Sequence, residues 1–191
     1  EPQPIVMIAA AATAIKRRRV RLNLSNESNT GPVSGSASEV SIERPALYVV
    51  ATPIGNLSDI TVRAIAVLNA VDLVLCEDSR HSSHLLDHYQ ISTPTRPLHD
   101  HNEEEQAPKL IARAAENRLS YALISDAGTP LISDPGYRLV QSAIEAGVPV
   151  NAVPGPSAVV AALSVAGLKT DRFSFVGFLP ASDGARNRCL H

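Results

Sequence analysis

The chain has 191 residues, a formal net charge of −2, 45% hydrophobic and 19% charged residues. That length allows one core of ordinary size and excludes two full domains. Two cysteines without a CxxC spacing exclude a disulfide scaffold and point to free thiols in a reducing compartment, and with no tryptophan and three phenylalanines the core has to be aliphatic.

Residues 1–44 read as a flexible tail or extension. The apolar run at 5–15 is too short to span a bilayer, and its basic cluster, Lys16, Arg17, Arg18, Arg19 and Arg21, follows it instead of preceding it as in a signal peptide. Residues 23–41 are rich in Ser, Asn and Gly and cannot offset the entropy of ordering. From 45 to 180 the balance reverses, with nine Lys/Arg against fourteen Asp/Glu. This part lacks the positive field of a stand-alone nucleic-acid binder, so phosphate-binding charge has to come from a local patch, a partner or further chain.

Order begins with an apolar strand at 47–51, stopped by Thr52 and Pro53. Helical spacing follows over 57–70 with Asp59 as N-cap, then a strand at 72–76 and a short helix at 79–89. A strand is predicted at 96–98. Asn102 and Glu105 have the spacing of a capping box for the next helix, which runs to Asn117 with Pro108 as a blemish. A buried strand at 121–125 leads into a long turn, and Asp134 with Pro135 opens a helix that ends at Gly147. A strand at 148–153, a helix at 157–166 and a last strand at 173–178 complete the pattern, leaving 181–191 as a short tail. Strands apolar on both faces, alternating with helices, imply an α/β fold with a parallel β-sheet and helices on both faces. Such a sheet binds its ligand outside the carboxyl ends of the strands.

Three loops leaving those ends are rich in Gly, Pro, Ser, Thr and Asp: residues 52–57, 125–136 and 153–157. Glycine permits close backbone approach, and N–H groups near helix starts receive anions. No GxGxxG and no GxxxxGK[ST] occurs, so a dinucleotide fingerprint and a P-loop are both absent. His84 and His88 could share a helix face, yet HExxH and a third ligand at fixed spacing are missing, so no metal site is expected.

Read together, the runs TPIGNL from Thr52, EDSRH from Glu77, HDHNE from His99, SDAGTP from Ser125, DPGY from Asp134, PGP from Pro154 and DRF from Asp171 closely resemble the bacterial 16S ribosomal RNA cytidine 2'-O-methyltransferases of the tetrapyrrole methylase superfamily. The resemblance implies a cytoplasmic homodimer that uses S-adenosylmethionine, with 16S rRNA of the small ribosomal subunit as substrate and no membrane association. It implies that 45–180 is the cofactor-binding domain, here without the family's second domain. The cofactor loops carried over are Pro53, Ile54, Gly55 and Asn56, then Ser125, Asp126, Ala127, Gly128 and Thr129, then Pro154, Gly155, Pro156 and Ser157. Glu77, Asp100, His99 and His101 are the candidate catalytic residues, and Asp78, Arg80, His81, Asn102 and Glu103 the candidate substrate contacts. Ser79 stands where the family usually has threonine. Two other readings are a methyltransferase of tetrapyrroles or other small molecules, which suits the acidic core, and an inactive fragment or dimerising module.

Overall fold

The computed structural model describes residues 42–190, which fall into two compact units divided between Pro156 and Ser157. The first unit is a five-stranded sheet in the order β3-β2-β4-β1-β5, with every pairing parallel. Its strands are β1 (Ala46–Val50), β2 (Leu73–Cys76), β3 (Thr95–Pro97), β4 (Ser120–Leu123) and β5 (Val150–Val153), joined by α1 (Val62–Ala70), α2 (Ser79–His88), α3 (Asp100–Asn117) and α4 (Tyr137–Glu145).

Alternation along each strand divides the core between the two faces. Tyr48 and Val50 of β1, Val74 of β2 and Ala122 beside them pack against Val67 and Leu68 of α1 and Leu85 and Leu86 of α2. Leu47, Leu75, Tyr121 and Leu123 point the other way, onto Leu110 and Ile111 of α3 and Leu139 and Ala143 of α4. Side chains with period two on a strand and apolar stripes on each helix produce this sandwich. The expected parallel sheet with helices on both faces is therefore what forms.

Element boundaries differ from the sequence reading in ways that trace to particular residues. Asp59 caps no helix. It lies in a 3-10 turn at Leu57–Asp59, Ile60 is buried in extended backbone, and Thr61 becomes the cap of α1 through its hydroxyl, which accepts from the Ala64 N–H at 3.0 Å. The cap of α3 is His99, three residues before the expected Asn102, whose Oδ1 instead accepts the His99 N–H at 3.0 Å. Asp134 and Pro135 precede α4 without belonging to it, because Gly136, with φ +128°, cannot continue a right-handed helix. Pro108 is accommodated inside α3.

The second unit contains α5 (Ala158–Val165) and α6 (Asp183–Leu190). Residues 173–178 do not form the expected strand: Gly177 has φ +70°, and Phe173, Phe175, Val176 and Phe178 are 44–88% exposed instead of alternating into a core. The expected short tail is helical over Asp183–Leu190, where Asp183 in the first turn pairs with Arg186. The thiols are both free, Cys76 buried and Cys189 exposed. Residues 1–41, including the basic cluster, lie outside the described residues.

Candidate functional site

Going along the carboxyl edge of the sheet, the chain leaves β1 and β2 toward α1 and α2 on one face, and leaves β4 toward α4 on the other. Adjacent strands whose connections part to opposite faces leave a crevice between them, the usual place for a ligand in an open parallel sheet. A cleft of about 540 Å³ lies there, lined by residues 52–57 after β1, 80–82 and 84–85 of α2, and 124–127 after β4.

The cleft floor is held rigidly by bonds among its loops. Thr52 is 1% exposed and exchanges both backbone hydrogen bonds with Gly128, its N–H donating at 2.8 Å and its carbonyl accepting at 3.1 Å. Its hydroxyl also donates to the Ser125 carbonyl at 3.0 Å. The Thr129 hydroxyl donates to the Pro156 carbonyl at 3.1 Å, tying the loop after β4 to the loop after β5. Gly128 and Gly155 serve this loop packing: a Cβ on Gly128 would lie 3.2 Å from Ile54 Cγ2, and one on Gly155 3.1 Å from Ala51 Cβ. Gly55 differs, with φ +137° and open space where its Cβ would be, so it keeps the cleft mouth unobstructed.

Acidic groups gather beside the cleft. Burial pushes the Glu77 carboxyl above its ordinary range, reinforced by Asp126, Asp134 and Asp100 and opposed by His99. Asp134 is also raised, first by burial, with the Ser125 hydroxyl opposing and the Asp126 charge adding. Asp126 Oδ1 is buried with no hydrogen-bond partner among the described residues. A carboxylate oxygen removed from water and left unpaired costs free energy until a donor meets it, so it is a natural contact for a ligand N–H or O–H.

Further along the edge, His99 and His101 place their rings edge to face at 5.9 Å, and the Asn102 amide nitrogen lies 3.3 Å from His99 Nε2. The next residue, Glu103, is 4% exposed and Oε1 accepts the Leu139 N–H at 3.0 Å. Its carboxylate thereby supplies to α4 the cap that Gly136 cannot.

The sequence model of the Tetrapyrrole (Corrin/Porphyrin) Methylases matches residues 46–188. The chain belongs to the tetrapyrrole methylase family. Among relatives of this tetrapyrrole methylase chain, the Vibrio cholerae protein named Ribosomal RNA small subunit methyltransferase I is 58% identical over 142 residues, 74% of this chain and 49% of that protein. Proteins of the same name are 54% identical in Escherichia coli O157:H7, over 75% of this chain and 50% of the relative, and 49% identical in a Synechocystis strain, over 75% and 51%. The chain spans about half the length of the curated relatives it matches. The crystal structure of uroporphyrin-III-C-methyltransferase from Thermus thermophilus aligns with a TM-score of 0.49 at 28% identity, covering 65% of this chain and 53% of that one; the fold assignment rests instead on the strand order above.

Within this tetrapyrrole methylase unit, Pro53, Ile54, Gly55, Asn56, Ser125, Asp126 and Ala127 line the cleft together with Arg80 and His81. Gly128, Thr129, Pro154, Gly155 and Pro156 lie in the loops that pack behind it, while Ser157 opens the second unit as the N-cap residue of α5. Glu77, His99, Asp100, His101, Asn102 and Glu103 are not part of the lining. Thr52 and Asp134 enter the sequence reading only as members of its loops and motif runs, and His84 only as a metal candidate that is set aside. The helical spacing of His84 to Arg80 and His81 puts it on the same wall; Thr52 acts through a bond to Ser125 in the loop after β4, which no local pattern reveals, whereas Asp134 meets Ser125 and Asp126 of its own loop and adds to the elevation of Glu77.

Proposed function

We propose that this chain is the S-adenosylmethionine-binding part, residues 45–180, of a cytoplasmic, homodimeric enzyme that methylates the 2'-hydroxyl of a cytidine in 16S rRNA. The observation that carries the reading is the cleft at the carboxyl edge of the sheet with its unpaired Asp126 oxygen; the names of the relatives supply the substrate. The volume falls within the range of small-ligand sites, roughly 300–1,000 Å³. The donor set fits: a sulfonium ligand is cationic and carries an ammonium and ribose hydroxyls, and the cleft offers a carboxylate acceptor amid further acids. Residues 53–56 and 125–127 would hold it, with Gly55 leaving room and Asp126 accepting a hydrogen bond.

When bound, S-adenosylmethionine supplies an electrophilic methyl group. The protein's part is to position the acceptor hydroxyl and receive its proton. Glu77 is the proton acceptor in this reading: it directly follows β2 at the carboxyl edge, two residues before the α2 wall that lines the cleft, and burial and neighbouring acids make its carboxylate a stronger base than an exposed glutamate. His99, His101 and Asp100 then orient the substrate side of the edge.

Titration calorimetry with S-adenosylmethionine tests the cleft, and Asp126→Ala is expected to weaken binding about tenfold or more, as loss of a charged hydrogen bond does. Radiolabelled methyl transfer to unmodified small ribosomal subunits tests the substrate. Label appearing on a base would overturn the ribose reading, and label on a porphyrin precursor offered in competition would replace it with the tetrapyrrole methylation that the family description names.

A further inference from the structure

Most of the charge around the cleft is negative, yet a polyanionic substrate requires a cation close by. Among the described residues lining the cleft, Arg80 carries the single permanent positive charge. It stands on the first turn of α2, next to His81 and one turn from His84, which line the same wall. Ser82, 3% exposed, also lines that wall.

The Arg80 side chain is 90% exposed but not freely swinging. Asp78, the cap of α2, accepts the Arg80 backbone N–H at 2.8 Å through Oδ1 and also holds the guanidinium, with Nε donating to Oδ1 at 3.4 Å and Nη2 to Oδ2 at 3.2 Å. Guanidinium has five N–H donors in a rigid fork. Asp78 engages two of them, which leaves Nη1 and the second Nη2 hydrogen directed to other acceptors. A side chain already fixed in one orientation loses less entropy when a ligand arrives.

We infer that Arg80, oriented by Asp78, is the fork that grips a backbone phosphate of the substrate RNA on the α2 wall of the cleft, with His81, Ser82 and His84 beside it. The inference rests on the RNA reading of the previous subsection and adds to it the residue that offsets the acidic surroundings.

The test is the salt dependence of RNA binding, measured by fluorescence anisotropy with a labelled single-stranded RNA on the whole chain and its Arg80→Gln and Arg80→Lys variants. The exposure of Arg80 makes misfolding an improbable complication, and equal thermal melting of the three proteins checks it. The basic tract at 16–21 contributes equally to all three and cancels in the comparison. Losing one phosphate contact lowers the slope of log affinity against log salt by about 0.7 for a single strand. Arg80→Gln is expected to show that loss with a severalfold weaker affinity for RNA at low salt. Arg80→Lys keeps the charge without the fork, so it retains the slope while binding more weakly than wild type. An Arg80→Gln slope equal to wild type overturns the proposal; if affinity for S-adenosylmethionine falls at the same time, Arg80 serves the cofactor's carboxylate instead. A wild-type chain with no measurable RNA binding refutes the RNA reading itself, and this proposal with it.

Discussion

Replacing Gly136 by alanine would load the turn that delivers the loop after β4 into α4. The residue has φ +128°, where L side chains rarely go, and the added Cβ would lie 2.5 Å from Leu123 Cδ2 and 3.3 Å from Leu131 Cδ1. Leu123 is 2% exposed, on a strand paired on both sides, so it has no room to withdraw. Backbone strain of this kind costs about 1–3 kcal/mol, and forcing a carbon into a packed core about 1–3 kcal/mol more. Gly147 provides the control, since its φ of +67° is in the left-handed helical region and nothing lies within 4 Å of a Cβ there. Alanine at 147 should therefore cost only about 1 kcal/mol. Urea unfolding of both variants measures the difference, expected at roughly 1–5 kcal/mol in favour of Gly147→Ala. Equal losses, within ~0.5 kcal/mol, would refute the clash with Leu123 and with it the placement of the 125–136 loop over β4.

Three further outcomes follow from buried and paired acids. Glu103→Ala should destabilise the fold by about 1–3 kcal/mol by leaving the Leu139 N–H unpaired, and hydrogen exchange at Leu139 should accelerate, whereas Glu103→Gln, which keeps an acceptor, should lose less. Asp72 accepts from Arg44 and from the Ser120 N–H; burial pushes its carboxyl up, but these bonds outweigh burial and hold it below the usual carboxylate range. A carboxylate depressed in the folded state contributes stability above its unfolded pKa, so the advantage of wild type over Asp72→Asn should be constant at neutral pH and shrink as unfolding is measured below about pH 4. Glu77 has the opposite sign, being raised by burial and by Asp126, Asp134 and Asp100. Its ionisation opposes folding as pH rises, so Glu77→Gln should be at least as stable as wild type at neutral pH while losing methyl transfer and the acidic limb of the pH–rate profile. A variant that retains the limb would move the proton acceptor elsewhere.

How much of this was legible beforehand depended on the range of the interaction. The strand runs at 47–51, 72–76 and 121–125 announced themselves because a strand buried on both faces must be apolar at every position, and alternation with amphipathic segments then permits little but a parallel sheet covered on both sides. The Gly- and Pro-rich loops at 52–57 and 125–129 could be assigned to one edge for the same reason: in a parallel sheet all carboxyl ends lie together. Caps were read less well. Asn102 and Asp59 have the chemistry of N-caps, but His99 and Thr61 hold those positions because chain direction at Leu98 and Ile60, both buried, is set by the core. The identity of Glu103 as a cap for α4, the bonding of Thr52 to the loop after β4, and the elevation of Glu77 by acids from two other segments were decided only by tertiary structure. Periodicity and turn chemistry act over a few neighbouring residues and can be read in order along the chain; burial and charge act through space, and their partners become known only when distant segments meet.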